Sequence, residues 1–548
     1  MPLPPRETSL HPSPRTVPTV WSCQGIGLRV VLNSGGKGLA KAPLPARPWN
    51  DPLPVAATDL ASPASSWDQR PREPAAMTRS IVLFLLCCLP LLAVAQSAPK
   101  PAADAATPAD DPSRQALDAW LSAFNSGERK PLEAFRDRWK PDMDVDRMLE
   151  LHVETGGLRL VRHEPSEPGT AQALLQELES DTVVRMEMIV KSGEPVRFGI
   201  RPIDPPEDLR VSRMSAGGAI EALMAKADEQ AAKDAFSGVL LVARGDEVLL
   251  QRAWGQADRA AGTPVALDTK FRLGSMNKMF TAVATLQLVQ AGKLSLDGTV
   301  GQYLFGYPNA EVAKATIRQM LTHSGGTGDF FGPEFDAQRL SLKTHDDYVR
   351  LFGARGPTHP PGTEQRYSNY GFLLLGAIIE RVSGQSYYDY VDAHVFAPAG
   401  MHDSGSLPED VAVPGRAVAY MRKEGAWIDA ADTLPYRGTA AGGGYSTAGD
   451  LLKFARALLA GKLLSPELLA EATRNQTPWY GYGFMAREQE GVRMFGHAGG
   501  APGMNGDLRV YPDLGVVVVG LANVDPPAAD RLVGYYLLRM PLPVKPGT

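Results

Sequence analysis

FRLGSMNKMFTAVATLQL, residues 271–288, is the stretch on which the reading of this chain turns. Gly274 precedes Ser275, Lys278 follows three residues later, and from Met279 onward the run is mostly apolar, as a buried helix requires. Residues three apart share a helix face, so the Lys278 ammonium can approach the Ser275 hydroxyl, and a helix N-terminus favours negative charge developing there. Burial of the lysine would lower its pKa and leave it available as a proton acceptor or a tuning charge. The tetrad alone carries little, since a serine here can equally be an ordinary N-cap. Two further tetrads, Ser34–Lys37 and Ser97–Lys100, have no apolar helix behind them.

Working outward, Phe236 to Ala243 and Val248 to Trp254 flank the turn Arg244-Gly245-Asp246-Glu247 and predict a hairpin. Asp507 to Tyr511 and Val516 to Leu521, around Pro512-Asp513-Leu514-Gly515, predict a second, followed by a helix over about 528–538. Strands at both ends with helical material between them predict one sheet made where the chain ends meet. The fold class expected is α/β: an antiparallel sheet flanked by helices, plus a mostly helical subdomain, preceded by a small α+β domain.

Two further segments bear chemistry. Tyr367-Ser368-Asn369 stands before the helix-like run Gly371 to Glu380. A tyrosine can serve as general base if a cation such as Lys278 holds its phenolate, and Asn369 offers a donor and an acceptor. Taken alone, the triplet also fits a tyrosine that simply packs before a helix. Phe495-Gly496-His497-Ala498-Gly499-Gly500 precedes the C-terminal hairpin; its small residues predict a loop along which a substrate approaches a sheet edge and free N–H groups hold an oxyanion. Each has a decoy. Tyr307-Pro308-Asn309 has the second spacing but no apolar helix after it, and His323-Ser324-Gly325 imitates the third at the end of the helical segment 317–322.

Composition bounds the rest. The chain has 548 residues, 44% hydrophobic and 21% charged, which excludes a polytopic membrane protein or a wholly disordered one. A net charge of −5 gives no basic field for phosphates, so nucleic acid is not an expected partner. All three cysteines, Cys23, Cys87 and Cys88, precede residue 90, so no thiolate nucleophile or cysteine-ligated zinc is expected beyond it. Met77-Thr78-Arg79, the apolar run 81–92 and Ala93-Val94-Ala95 have the order of a secretory signal over 77–95, cleaved after Ala95 and too short to span a membrane. Residues 1–76 are Pro-rich and read as a mis-set start, with translation beginning at Met77. Residues 96–112 read as an Ala/Pro linker. From Ser113, Leu117, Trp120, Leu121 and Phe124, then Leu132, Phe135 and Trp139, mark two helices, with a third near 145–151. Strand-like runs follow at 158–161, 183–190 and 196–200, giving a domain over 113–205 and a second over 212–541. The helices-then-strands order of 113–205 resembles the NTF2-like group, and with no acid, base and nucleophile set in it an accessory role is expected.

Ser275-x-x-Lys278, Tyr367-x-Asn369 and His497-x-Gly499, in this order, resemble the serine hydrolase superfamily of class C β-lactamases, D-alanyl-D-alanine carboxypeptidases, D-aminopeptidases and related esterases. Connecting phrases such as GKLSLDGTVGQYL, IRQMLTHSGGTGDF and YGYGF extend the resemblance over about 219–540. It implies Ser275 as nucleophile, Lys278 as the group lowering its pKa, and Tyr367 as general base. It further implies Asn369 and His497 at the substrate, an oxyanion hole of the Ser275 and Gly500 N–H groups beside Gly499, and no metal or cofactor. Where the β-lactamases carry Lys-Thr-Gly, this chain has His497-Ala498-Gly499, a poorer partner for a substrate carboxylate. The expectation is therefore an exported (periplasmic or secreted) hydrolase of esters or D-configured amides, acting on small-molecule or peptide substrates through an acyl-enzyme. A β-lactamase or D-alanyl-D-alanine carboxypeptidase, and an inactive binding or sensor protein on the same scaffold, are the alternatives.

Overall fold

The structure, a computed structural model, describes residues 109–543 apart from 195 and 424. The expected signal peptide, the segment before it and nearly all of the linker lie outside the described residues. Asp111 caps the first helix, Pro112–Asn125, by accepting from the Ser113 N–H at 2.8 Å.

A six-stranded antiparallel sheet runs in the order Met485–Gln489, Val492–Ala501, Met504–Tyr511, Val516–Ala522, Gly238–Arg244, Glu247–Trp254. The two hairpins meet between its fourth and fifth strands, with Val516 opposite Arg244 and Ala522 opposite Gly238, as the chain-end reading expects. The run VVVVGLA is apolar throughout because both sheet faces are covered. Val516 and Val518 pack under the outer helices Ala216–Ala232 and Ala528–Arg539, together with Leu532, Val533 and Tyr536. Val517, Val519 and Leu521 alternate to the other face, against Met276, Phe280 and Val283 of the helical layer. The helix Lys278–Gln290 is buried on nearly every side, which explains its lack of a polar stripe.

Before this sheet, helices Pro112–Asn125, Arg129–Trp139 and Val145–Thr155 accompany a four-stranded antiparallel sheet, Leu158–Glu164, Thr170–Glu177, Val183–Ile189 and Arg197–Pro202. Leu117, Trp120, Phe124, Phe135, Met186 and Met188 form its core. The strand Thr170–Glu177 is absent from the sequence reading. Its residues TAQALLQE are good helix formers, and pairing on both sides overrides that preference. The outer helices hold this region: Arg539 bonds Asp181 at 2.7 Å, Gln230 bonds Glu179 at 2.9 Å, and Arg531 donates to the Glu154 carbonyl at 2.8 Å. Among the described residues no helix is long and apolar enough to cross a membrane.

Candidate active site

Phe271–Arg272 pair with Tyr445–Ser446, and the chain then makes a tight helical turn, Gly274–Asn277, before the helix Lys278–Gln290. Gly274 has φ 54°, and a Cβ there would lie 3.0 Å from the Gly500 nitrogen, so this position requires glycine. Asn277 ties the turn to the helical layer, donating to Tyr387 Oη at 3.0 Å and to the Thr439 carbonyl at 2.8 Å.

Lys278 is fully buried, and its Nζ lies 3.2 Å from Ser275 Oγ and 2.7 Å from Asn369 Oδ1 and also bonds the Ala441 carbonyl. Three acceptors match the three N–H donors of an ammonium. The same nitrogen stands 4.7 Å from the centroid of the Tyr367 ring and 5.5 Å from that of Phe372. Ser275 and Tyr367, 92 positions apart in sequence, thus meet at one amine. Ser368 caps the helix Asn369–Ser383 by accepting from the Gly371 N–H at 2.9 Å, which fixes the residues on either side of it. The decoy Tyr307 packs in the core, its hydroxyl 3.0 Å from that of Tyr370.

Asn369 spans two opposite charges. Its carbonyl faces Lys278, and its amide donates at 2.7 Å to Asp329 Oδ2. The other carboxylate oxygen of Asp329 accepts the N–H of Phe330 at 2.8 Å and of Phe331 at 3.3 Å, and desolvation of this carboxyl raises its pKa against the lowering by the Asn369 bond. Asp329 escaped the sequence reading; the only signal was an acidic residue after the turn-forming run GGTG.

The third motif lies in a strand, Val492–Ala501, where a loop was expected. Its neighbour Met485–Gln489 ends with Met485 opposite Gly496, so among the described residues no strand pairs with 497–501 on that side, while the other side pairs with 504–508. Gly499 approaches the turn Gly274–Asn277 so closely that a Cβ would sit 2.0 Å from the Leu273 carbonyl and 3.0 Å from the nitrogens of Ser275 and Met276. The Ser275 backbone and Gly500 therefore border one ledge. Asn505 secures it, donating to the Gly499 carbonyl at 3.1 Å while its Oδ1 accepts from Ala529 and Asp530 at the start of the last helix at 2.6 and 3.0 Å.

His497 is 1% exposed; its Nδ1 bonds the Ala498 carbonyl and its Nε2 lies 2.8 Å from Tyr480 Oη. Burial, and then repulsion by Lys278, push its pKa down to about 3. His323, the expected decoy, lies against the Tyr367 ring at 4.3 Å, and burial followed by Lys278 holds its pKa well below the usual histidine value. Neither ring adds positive charge near neutral pH.

Residues 219–539 match the family described as Beta-lactamase. Penicillin-binding protein 4 of Amycolatopsis lactamdurans is 32% identical over 315 residues, covering 52% of this chain and 80% of that protein. Esterase EstB of Burkholderia gladioli is 32% identical over 291 residues, covering 45% of this chain and 74% of that protein. The crystal structure of penicillin binding protein from Bacillus halodurans superposes with a TM-score of 0.53 at 31% identity, covering 58% of this chain and 99% of that one. The matched span holds the sheet, the helical layer and every side chain of the cleft described above, and the chain belongs to the Beta-lactamase family as a serine hydrolase.

Proposed function

We propose that this hydrolase uses Ser275 as nucleophile, with Lys278 and Tyr367 as its activating pair, on esters or D-configured amides. The observation that carries the reading is the Lys278 amine, 3.2 Å from Ser275 Oγ and 4.7 Å from the Tyr367 ring. Tyr367 takes the Ser275 proton as Oγ attacks the substrate carbonyl carbon. The N–H groups of Ser275 and Gly500 receive the oxyanion, and collapse expels an alcohol or amine that takes the proton back from Tyr367. Water, deprotonated by the Tyr367 phenolate, then attacks the acyl carbon, and Ser275 Oγ leaves with that proton as the acid is released. Because its hydrogen bonds suit a protonated amine, Lys278 acts as a fixed charge that stabilises alkoxide and phenolate, and Tyr367 carries the proton.

The electrostatics support the choice of substrate. His497 is neutral and buried, whereas Asp329 presents a carboxylate beside Asn369. A substrate bearing a free carboxylate is repelled there; a neutral ester, or an acyl group carrying an amine, is not. Fluorophosphonate should label the protein stoichiometrically and fail on Ser275→Ala, and p-nitrophenyl esters should turn over faster than nitrocefin. Fast nitrocefin hydrolysis with ester inactivity would reject the substrate assignment, and labelling that survives in Ser275→Ala would reject the nucleophile. The pattern over residues 77–95 supports export. A mature N-terminus at Gln96 is the expected result, and one before Met77 would refute it.

A further inference from the structure

Three buried aromatic side chains join the third motif to the second. The His497 Nδ1–H donates to the Ala498 carbonyl, so its Nε2 is the acceptor and Tyr480 Oη the donor, at 2.8 Å. The Tyr480 ring, which is 0% exposed, lies 4.5 Å from the His323 ring, and His323 lies 4.3 Å from Tyr367 at an interplanar angle of 36°. His323 Nδ1 accepts the Ser368 N–H at 3.1 Å, and its own carbonyl accepts the Arg366 N–H at 2.9 Å, so this residue grips the backbone on both sides of Tyr367. It does so at φ 59°, a left-handed conformation that a non-glycine residue holds only when its surroundings fix it. Trp479 and Phe372 close the column's flanks, at 6.2 and 5.2 Å from His323.

We propose that His497 serves the reaction through Tyr480 and His323, as a positioning residue for Tyr367, and that it does not contact the substrate. His497 is buried with both ring nitrogens committed to protein, which leaves it nothing to offer a ligand. What it controls is the rotation of the Tyr480 ring against which His323 packs. His323 in turn sets the height of the Tyr367 ring over the Lys278 ammonium and holds the turn that presents Asn369. This inference rests on Tyr367 being the base of the proposed reaction.

A double-mutant cycle tests it, using His497→Ala, Tyr480→Phe and the pair in the full-length protein. Rates are normalised to the fluorophosphonate-titrated fraction so that misfolded protein does not count. The two single variants should each lower kcat roughly 10- to 100-fold, with KM within about threefold, and the double variant should fall no further than the worse single one. His497→Gln, whose amide oxygen can accept from Tyr480, should recover much of the loss. The acid limb of the kcat/KM profile, which reports the base, should move in His323→Gln and in Tyr480→Phe. Additive losses, or a His497→Ala effect confined to KM beside a near-normal Tyr480→Phe, would overturn the proposal and return His497 to the substrate. Either result, with kcat lost in Tyr367→Phe and labelling lost in Ser275→Ala, leaves the base and nucleophile assignments standing, so failure of this inference is distinguishable from failure of that reading.

Discussion

Replacing Lys278 by methionine removes a charge and keeps most of the volume of the stem. With Nζ 3.2 Å from Ser275 Oγ, the Coulomb energy between ammonium and a developing alkoxide is 332/(20 × 3.2), about 5 kcal/mol at an effective dielectric constant of 20. That corresponds to a loss of roughly 10⁴-fold in the acylation rate. Stability should change far less. Asn369 Oδ1 and the Ala441 carbonyl lose a donor, at about 1–3 kcal/mol each, while the fully buried chain no longer carries the desolvation cost of an ion. The assay is the second-order rate of fluorophosphonate labelling, followed beside the thermal midpoint. Labelling within tenfold of wild type, with the fold intact, would refute the argument that this amine activates Ser275.

Gly499→Ala places a Cβ 2.0 Å from the Leu273 carbonyl, so the ledge must move away from Ser275; kcat should fall at least about 100-fold, and an unchanged kcat would contradict the oxyanion geometry. The buried His497 has a folded pKa of about 3, so the unfolded chain binds the extra proton below its own value of about 6.5. Its contribution is complete above that pH and lost as pH falls, at about 1.4 kcal/mol per unit, and His497→Gln should flatten the decline of the urea midpoint between pH 6.5 and 5. Asp530 has the opposite sign: burial, and then the neighbouring Asp507, raise its carboxyl pKa, so stability is lost as pH rises above the unfolded value. The advantage of Asp530→Asn over wild type should grow from pH 5 to pH 8, and parallel pH curves would count against this.

What the sequence made legible is what lies close together along it. Ser275 and Lys278 share one helical turn, Tyr367 and Asn369 straddle one cap, and the unbroken apolar run Val516 to Leu521 after the turn Pro512 to Gly515 marks a strand. The partners that complete the cleft were not legible, because each arrives from afar. Asp329 meets Asn369 across 40 positions and Tyr480 meets His497 across 17, with neither pair at a helical or strand spacing. His323 was set aside because its neighbours imitate another motif, although the fold lays it against Tyr367 of the second motif. The strand Val492–Ala501 was concealed by glycines at 496, 499 and 500, which ordinarily mark loops; here Gly499 lets the backbone touch Leu273 and Ser275, while Gly496 lies against the Leu508 carbonyl and Gly500 against Pro526.

The pairing of Val516–Ala522 with Gly238–Arg244 sets a schedule for the ribosome's product. A growing polypeptide carries its serine, lysine and tyrosine long before it carries the last two strands, and closing so long a loop is slow relative to making local helices. Hydrolytic competence therefore arrives late and all at once, and a chain stopped before Val516 is no partial enzyme. It would expose Gly238–Arg244 as an unpaired apolar edge, open to association with other unfinished copies.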